Sequence, residues 1–295
     1  MIVLVTGGCG FIGSHIVDKL VSLGHEVRVI DDLSAKENEE FYYNSSANYW
    51  KLDISKDDCS NIFKGVDFVF HLAARSRIQP TIGTPNECFE VNVVGTQRVL
   101  DWCRINSVKR LIYSGTSSLY GHQNSIPFQP NMPSDCLNPY SMSKWMGEQI
   151  CKLYSQLYRV NTTVLRYFNV YGPREPVKGH YAPVVGLFKR QKKENKPMTI
   201  VGDGSQRRDF TYIDDVVEAN ILSLNLKKQK TFDVYNVGTG KNYSIKQIAE
   251  FVGGETEYID PRPAEVQETL ADITLTTKDL GWVPKVDLEQ AINGY

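Results

Sequence analysis

A tyrosine and a lysine, Tyr140 and Lys144, stand four residues apart in the segment LNPYSMSKWMGEQ, which has a helical pattern. Residues four apart share one face of a helix. A free tyrosine has a pKa of ~10 and is a poor base at neutral pH, but a nearby ammonium group favours the phenolate and lowers that pKa. The spacing therefore fits an acid–base pair, and it also fits an ordinary solvent-exposed pair. The surrounding elements have to decide between the two.

A glycine-rich loop near the start of the chain favours the acid–base interpretation, because it predicts a dinucleotide site. In TGGCGFIGSH, Gly7, Gly10 and Gly13 lie between a strand pattern and a helical pattern. Glycine allows a tight turn there and lets a pyrophosphate approach the free N–H groups of the helix N-terminus. The alternative is a tight turn that binds no ligand, since a glycine triplet alone is weak evidence.

Two carboxylates complete the predicted dinucleotide site. Asp31 ends the second strand pattern, 18 residues after Gly13, where it would accept hydrogen bonds from the ribose hydroxyls of the adenosine. Asp32 adds a second negative charge that would repel the 2′-phosphate of NADP. The loop and its acids therefore predict NAD as the cofactor.

These side chains require a scaffold of alternating strands and helices. Short β-rich runs alternate with helical patterns over the first part of the chain, which predicts an α/β fold with a doubly wound parallel sheet. A late strand is expected to return to this sheet, and the segment GPREPVKGHYAP after the sixth strand is expected to be a long functional loop. The strand patterns cover 2–6, 26–31, 48–53, 66–73, 108–115, 162–172 and 232–238, and the helical patterns include 11–25, 86–106 and one that starts near Asp214.

Composition limits the class of protein. The chain has 295 residues, enough for one large or two smaller domains, and its 33 Lys and Arg nearly balance 34 Asp and Glu for a formal net charge of −1. This balance gives no basic signature of a nucleic-acid binder. No apolar window could span a bilayer, and MIVLVTGG lacks the features of a signal peptide. The six cysteines form no C-x-x-C pair, so we expect no metal site and reduced thiols in a cytoplasmic protein.

Several motifs together resemble the extended short-chain dehydrogenase/reductase family. The resemblance covers nearly the whole chain, and within the family the sequence is most similar to the nucleotide-sugar branch and its UDP-hexose 4-epimerases. It implies a Rossmann-type NAD-binding domain, 1–169 plus about 208–240, and a smaller mixed α/β domain for the nucleotide sugar, about 170–207 plus 241–295. The motifs are the G-x-x-G-x-x-G loop, the Tyr-x-x-x-Lys pair, DI at 53–54, HLAA at 71–74, NVVGT at 92–96, YSGTSSLYG at 113–121, RYFNVYGP at 166–173, RRDFTYIDDV at 207–216 and LGWVP at 280–284.

The resemblance assigns roles around the reacting sugar and the cofactor. Tyr140 would take a proton from a sugar hydroxyl as hydride leaves the same carbon. Lys144 would hold the nicotinamide ribose, and Thr116 would relay the proton. The residues expected to contact NAD are Gly7, Gly10, Phe11, Ile12, Gly13, Asp31, Asp32, Asp53, Ile54, Leu72, Ala73, Ala74, Asn92, Tyr140, Lys144 and Tyr167.

The same resemblance assigns the UDP-sugar end. Asn169 matches the asparagine that contacts the substrate phosphates, and Arg208 and Arg262 match arginines that bind the pyrophosphate, a role for which the planar guanidinium is suited. Arg262 lies in an altered motif, with Ala264 in place of the usual glycine. The residues expected to contact the substrate are Thr116, Ser117, Ser118, Tyr140, Asn169, Thr199, Val201, Arg208, Arg262 and Thr269.

Two positions bear on the choice of sugar. Thr269 falls where similar 4-epimerases have a gatekeeper, and a small residue there leaves room for a 2-acetamido group. Arg75 and Arg77 stand where relatives often have small or apolar residues, so each could reach the substrate or lie in solvent.

The triplet Thr116-Ser117-Ser118 separates the possible reactions. Similar 4,6-dehydratases carry a carboxylate there for the elimination step, and an epimerase needs none. The resemblance thus predicts a 4-epimerase, with a dehydratase or reductase of the same family and a non-catalytic NAD-binding sensor as alternatives. It also predicts a homodimer through a four-helix bundle that uses the Tyr140 helix and 92–105. The chain ends at EQAINGY, so a short or missing last helix is expected.

Overall fold

The structure is a computed structural model that describes residues 1–35, 38, 40–178, 182–226, 231–261 and 266–295. Its strands and helices alternate through the first half of the chain, as predicted. In chain order they are β1 (Ile2–Thr6), α1 (Phe11–Ser22), β2 (Glu26–Asp31), β3 (Asn48–Lys51), β4 (Phe68–His71), α2 (Ile78–Gly83), α3 (Pro85–Phe89), α4 (Thr96–Ile105), β5 (Arg110–Thr116), α5 (Pro139–Tyr158), β6 (Thr162–Tyr167) and β7 (Val170–Tyr171).

The second half contains shorter elements. They are α6 (Val184–Lys193), β8 (Met198–Val201), β9 (Arg207–Asp209), β10 (Thr211–Tyr212), α7 (Ile213–Ser223), β11 (Phe232–Val237), β12 (Asn242–Ser244), α8 (Ile245–Val252), β13 (Thr256–Ile259), α9 (Thr274–Leu280) and α10 (Leu288–Ala291). None of the helices in the described ranges is long and apolar enough to cross a membrane.

Seven parallel strands form the central sheet, in the order β11-β6-β5-β4-β1-β2-β3. The chain starts in the middle, at β1, winds outwards through β2 and β3, and then crosses back to β4. This reversal is a topological switch point, and ligands of such sheets bind beside it, at the carboxyl ends of the strands. The predicted α/β class and doubly wound parallel sheet are confirmed, and the late strand β11 does return to this sheet.

Alternate side chains of the strands feed two separate cores. Val3 and Val5 of β1 pack with Ile16 of α1 on one face of the sheet. Leu4 packs with Leu100 of α4 on the opposite face. Both faces of the strand are therefore buried, which explains the continuous apolar run in the sequence.

A third apolar cluster lies outside the central sheet. It joins α6, α8, α10 and the two-stranded β8–β13 sheet through residues such as Phe188, Ile200, Ile248 and Ile292. Phe210 and Tyr171 belong to this cluster and lie in the segments that lead back to the central sheet. The cluster thereby forms the wall that faces the strand ends.

Two predicted elements are interrupted in the structure, and the strands predicted at 48–53 and 66–73 are shorter, Asn48–Lys51 and Phe68–His71. The strand pattern 162–172 ends at Tyr167, because Asn169 adopts a positive φ of 20° and the chain turns so that β7 can pair with β10 instead. The helical pattern 86–106 is divided into α3, a π-helical segment at 90–95, and α4. The spacing of the hydrophobic residues in the sequence does not predict these interruptions.

Candidate active site

A cavity of about 560 Å³ opens at the carboxyl ends of the central strands, and its far wall is formed by α6, β8 and the segment around Phe210. Its size is within the range of small-molecule sites. The cavity runs from the glycine-rich loop, past Tyr140 and Thr116, to Arg208. Most of the predicted cofactor, catalytic and substrate residues therefore share one continuous space.

The glycine-rich loop is shaped for close approach. Gly7 has a φ of +73°, and a Cβ added there would lie 2.7 Å from the amide nitrogen of Ala73. A Cβ on Gly13 would lie 2.1 Å from the carbonyl oxygen of Gly7. Gly10 is the N-cap of α1, and no side chain of the described residues caps this helix. The first turn of α1 thus faces the cavity with N–H groups that suit an anion.

Asp31 lies at the end of β2 and lines the cavity. Its two carboxylate oxygens accept hydrogen bonds from the backbone N–H groups of Cys9 and Leu33, both at 2.9 Å. Burial raises the pKa of this carboxyl, and the two backbone hydrogen bonds oppose that rise. A fixed acceptor next to an uncapped helix N-terminus and a glycine cradle is the donor and acceptor set that a dinucleotide requires. The residues present therefore fit NAD.

The sequence NPYS places Tyr140 in the first turn of α5. The Asn138 side chain caps this helix by accepting the N–H of Ser141 at 2.8 Å, and Pro139 occupies the first helical position, where its missing N–H costs nothing. Tyr140 lines the cavity together with Thr116, which ends β5, and the Thr116 side chain favours the phenolate of Tyr140. The helix start thus brings the predicted acid–base residue to the end of the neighbouring strand.

Close packing of α5 against β5 fixes the position of Lys144. A Cβ on Gly147 would lie 2.2 Å from the hydroxyl oxygen of Tyr113, so only glycine permits this approach. The Lys144 Nζ lies 4.2 Å from the centroid of the Tyr113 ring. Lys144 is buried, and burial lowers its pKa to about 8.

The expected lowering of the Tyr140 pKa does not occur in the chain alone. Burial raises the pKa of Tyr140, the Thr116 side chain opposes that rise, and Cys88 adds to it. In the chain by itself, the desolvation of the phenolate outweighs the groups that surround it. The positive charge of the nicotinamide, which belongs to the expectation as well, comes only with NAD. A phenolate here needs an additional positive charge.

A buried ion pair lies one helical turn beyond Lys144. Glu148 pairs with Arg166 of β6, and both side chains are almost fully buried. Arg166 also donates to the Tyr120 hydroxyl at 2.7 Å and to the carbonyl oxygen of Pro130 at 3.0 Å. These bonds anchor α5 to the sheet directly behind the candidate site.

The predicted substrate residues gather at the other end of the cavity. The Asn169 Nδ2 donates to the carbonyl oxygen of Asp209 at 2.7 Å and lies 3.4 Å from the Thr269 Oγ1. Arg208 lines the same space and donates to the carbonyl oxygen of Gln267 at 3.2 Å. Thr199, Val201, Ser117 and Ser118 also line the cavity, whereas Arg262 lies outside the described residues.

One predicted cofactor residue has a different position. Asn92 is buried below the cavity and does not line it. Its Oδ1 accepts the N–H of Arg75 at 2.7 Å, and its Nδ2 donates to the Arg75 carbonyl oxygen at 3.0 Å and to the Ser143 Oγ at 2.9 Å. Asn92 thus supports the loop after β4. Asn92 was predicted to contact NAD because it lies in the NVVGT motif. The motif does not distinguish a residue that contacts the cofactor from one that supports the loop beside it.

Several cavity residues were not predicted. Ser34 follows Asp32 at the end of β2, and Leu137 and Asn138 precede Tyr140. Phe210 and Pro183 line the opposite wall. Most of these residues stand next to residues that were predicted to bind the cofactor or the substrate. Their position beside a motif was therefore the sequence signal that could have identified them. Pro183 had no such signal beyond its place in the predicted functional loop.

Comparison with known proteins accounts for this arrangement. The sequence profile described as the NAD dependent epimerase/dehydratase family matches residues 3–238. The chain belongs to the NAD-dependent epimerase/dehydratase family. Its cofactor is accordingly NAD, in agreement with the fit of the glycine loop and Asp31.

Individual relatives match over nearly their whole length. A UDP-glucose 4-epimerase from Mycolicibacterium smegmatis is 32% identical, with 98% of this chain and 95% of the relative covered. The crystal structure of a UDP-glucose 4-epimerase from Thermotoga maritima with UDP-glucose is 33% identical, with a TM-score of 0.91 and coverage of 99% and 96%. A UDP-N-acetylglucosamine 4-epimerase from Methanobrevibacter ruminantium, in complex with UDP-N-acetylmuramic acid, is 31% identical, with a TM-score of 0.91 and coverage of 98% and 95%.

Proposed function

We propose that this member of the family epimerises a UDP-hexose at C4 through a transient 4-keto sugar. One observation carries the proposal: Tyr140 and Thr116 line the same cavity as the glycine loop at one end and Asn169 and Arg208 at the other. An acid–base residue between a dinucleotide site and a phosphate-binding end is the layout that oxidation of a nucleotide sugar requires.

The chain's own residues supply proton transfer and positioning. Tyr140 takes the proton of the C4 hydroxyl, directly or through the Thr116 hydroxyl, and returns it after the keto sugar has presented its other face. When bound, NAD would supply the hydride acceptor and a positive charge on its nicotinamide ring. Lys144 holds the nicotinamide ribose, and Arg208 and Asn169 hold the diphosphate of the substrate.

The residues after Thr116 favour epimerisation over elimination. Ser117 and Ser118 line the cavity there, and neither side chain is a carboxylate. A dehydratase needs a further acid and base to remove a proton from C5 and water from C6. Epimerisation needs only the removal and return of the same proton and hydride at C4.

The test is direct. Purified protein is denatured and the supernatant analysed for NAD. Intact protein is then given UDP-galactose or, in a separate reaction, UDP-N-acetylgalactosamine, and the formation of UDP-glucose or UDP-N-acetylglucosamine is followed by chromatography. We expect released NAD and an equilibrium mixture of the two C4 epimers. A 4-keto-6-deoxy product, or bound NAD without any conversion of either sugar pair, would contradict the proposal.

We further propose that the enzyme accepts UDP-N-acetylglucosamine and UDP-N-acetylgalactosamine. Thr269 lines the cavity, is almost fully buried, and has its Oγ1 3.2 Å from the Asp209 nitrogen. A small side chain at this position leaves space that an aromatic ring would fill. Overpacking a tight site costs ~1–3 kcal/mol, or roughly 10- to 100-fold in rate or affinity.

The prediction for Thr269 is a change in sugar preference. Thr269→Tyr should lower kcat/KM for the acetylated UDP-hexoses by roughly 10- to 100-fold and leave the plain UDP-hexoses less affected. Thr269→Ser is the matched control, because it keeps the small side chain and its hydroxyl. Equal losses for both sugar classes, or a wild-type enzyme inactive on the acetylated sugars, would refute the gatekeeper role.

We also propose that the enzyme is a cytoplasmic homodimer formed through α4 and α5. Both helices pack against the same face of the central sheet and carry exposed apolar side chains on their outer sides, among them Ile105, Leu153 and Leu157. The guanidinium of Arg104 stacks over the Tyr158 ring, so the two helix ends are adjacent. All six cysteines are free thiols, which supports a reducing compartment.

A further inference from the structure

Arg75, at the end of the loop after β4, extends across the edge of the cavity. Its guanidinium donates to the Ser34 Oγ and lies 3.5 Å from the Asp32 Oδ2, both of which follow β2. On the other side it pairs with Glu87 of α3, through its Nη2 at 2.7 Å and its Nε at 2.9 Å. Four side chains from three parts of the chain thus form one continuous connection, here called the Arg75 bridge: Asp32, Ser34, Arg75 and Glu87.

The bridge is fixed at both ends. The Ser34 Oγ and N–H donate to the Asp32 Oδ1 at 2.5 and 3.0 Å, so the β2 end is preformed. The backbone of Arg75 is held by both polar atoms of the buried Asn92 side chain. The guanidinium therefore spans between two rigid walls with little freedom to lose, which favours a charge-assisted connection.

The walls that the bridge connects are those of the adenosine end of the cofactor site. Asp31, the ribose acceptor, lies beside Asp32, and Ala73 and Ala74 precede Arg75 in the opposite wall. Asp32, Ser34 and Arg75 line the cavity, whereas Glu87 does not. Arg75 lines the cavity while part of its side chain remains exposed, so its guanidinium lies where the cavity meets the solvent.

We infer that the Arg75 bridge is a clasp that slows the release of NAD. The inference rests on the proposed function, because an epimerase regenerates its cofactor in each turnover and gains from keeping it bound. Arg75 acts here as a positioning residue that closes the adenosine end. The bridge has to open before NAD can leave, so its strength enters the rate of dissociation.

The expected effect of the bridge on the rate of NAD release is modest, because the Arg75 side chain is 25% exposed and the Glu87 side chain 49% exposed. Solvent screens such pairs, and salt weakens them further. We expect roughly a 10-fold faster release when the whole bridge is removed and roughly a threefold faster release when only its outer anchor is lost.

The experiment measures NAD release in the absence of any sugar. Protein loaded with ¹⁴C-labelled NAD is chased with excess unlabelled NAD, and the retained label is followed by filter binding. The variants are Arg75→Ala, Glu87→Gln and the double variant. Arg98→Ala is the matched control, because Arg98 is a partly exposed arginine that donates to the Asp57 carbonyl oxygen and does not line the cavity.

Glu87→Gln is the decisive variant, since it preserves size and lies outside the cavity. The clasp predicts faster NAD release from Arg75→Ala and from Glu87→Gln. The double variant should release NAD no faster than Arg75→Ala, and Arg98→Ala should release it at the wild-type rate. It also predicts that added KCl speeds release from the wild type and changes release from Arg75→Ala little. Circular dichroism of each variant confirms folding.

Other outcomes overturn the clasp. Unchanged release in both single variants removes the bridge from cofactor retention. Faster release in Arg75→Ala with a wild-type rate in Glu87→Gln would mean that Arg75 contacts NAD directly and that the bridge has no part. Conversion of UDP-sugars is measured separately, so failed turnover with the predicted release rates would count against the proposed function alone.

Discussion

Tyr140 is the residue on which the proposed chemistry depends, and its surroundings oppose ionisation in the chain alone. Burial raises its pKa, and Thr116 opposes that rise. Lys144 lies over the Tyr113 ring, with its own pKa lowered by burial to about 8. In the proposed reaction, the phenol stays neutral until a positive charge arrives, which would couple proton transfer to the presence of the oxidised cofactor.

The first prediction follows from this proton-transfer role. Tyr140→Phe should lower kcat by ~10²–10⁴, the usual contribution of general acid–base catalysis, because phenylalanine cannot accept the proton. Bound NAD should remain, since the glycine loop and Asp31 are unchanged. Turnover is measured by conversion of UDP-galactose, and NAD by its release on denaturation. A variant with nearly normal turnover would exclude Tyr140 as the base.

Residue types and their spacing predicted much of the candidate site, and contacts between distant residues were not predictable. Tyr140, Lys144 and Gly7 stand in patterns whose geometry is local, so the sequence shows it. Arg75 meets Ser34 only because β2 and β4 flank β1 in the sheet, and no spacing encodes that meeting. The pKa direction of Tyr140 was also out of reach, since it depends on burial.

At the scale of elements, α5 carries both catalytic candidates and is anchored by one buried ion pair. Glu148 and Arg166 lie 2% and 5% exposed, and the hydrogen bonds of Arg166 continue to Tyr120. Removing one partner of a buried pair leaves an uncompensated charge, which costs far more than the pair contributes. The helix position therefore depends on a group that makes no contact with the cavity.

The prediction for this anchor is a loss of stability. Glu148→Ala should lower the free energy of unfolding by ~3–5 kcal/mol, measured by urea denaturation. Glu218→Ala is the control, because Glu218 pairs with Lys285 at 2.7 Å on the surface, and its loss should cost less than ~1 kcal/mol. Similar losses in the two variants would show that the buried pair does not hold α5.

A second element-scale prediction concerns pH and the segment that leads into α6. Glu175 is buried, accepts the Tyr295 hydroxyl at 2.7 Å, and has its pKa raised by burial to about 7. The native state therefore keeps the proton to a higher pH than the unfolded state. The stabilisation is complete below the ordinary pKa of 4.5 and is lost as pH rises to about 7.

Glu175→Gln should remove this dependence. The free energy of unfolding of the wild type should fall by up to about 3 kcal/mol from below pH 4.5 to above pH 7 relative to the variant, which stays neutral throughout. Urea denaturation across this range gives the comparison. Parallel pH profiles for the two proteins would show that Glu175 does not titrate between these limits.

At the scale of the whole molecule, the fold was predictable from the hydrophobic pattern, because buried strands that alternate with helices can be arranged in few ways. Apolar runs such as IVLVT with helical patterns between them allow few arrangements other than a parallel sheet with a switch point. The shorter elements were harder to predict from the sequence. The β7–β10 pair has two residues in each strand and depends on the turn at Asn169, which no hydrophobic pattern marks.

The last prediction concerns assembly through the outer faces of α4 and α5. Leu153 and Leu157 are 47% and 62% exposed and lie one helical turn apart, so they form a stripe that water covers in the monomer. Light scattering of the wild type should give about twice the chain mass of 33.4 kDa. Leu153→Glu with Leu157→Glu should give the single-chain mass, because four carboxylates cannot be buried together.

Leu275→Glu, at an exposed leucine on α9, is the matched control and should leave the dimer intact. A wild type that already has the mass of one chain, or a double variant that keeps the mass of two, would exclude this face as the dimer interface.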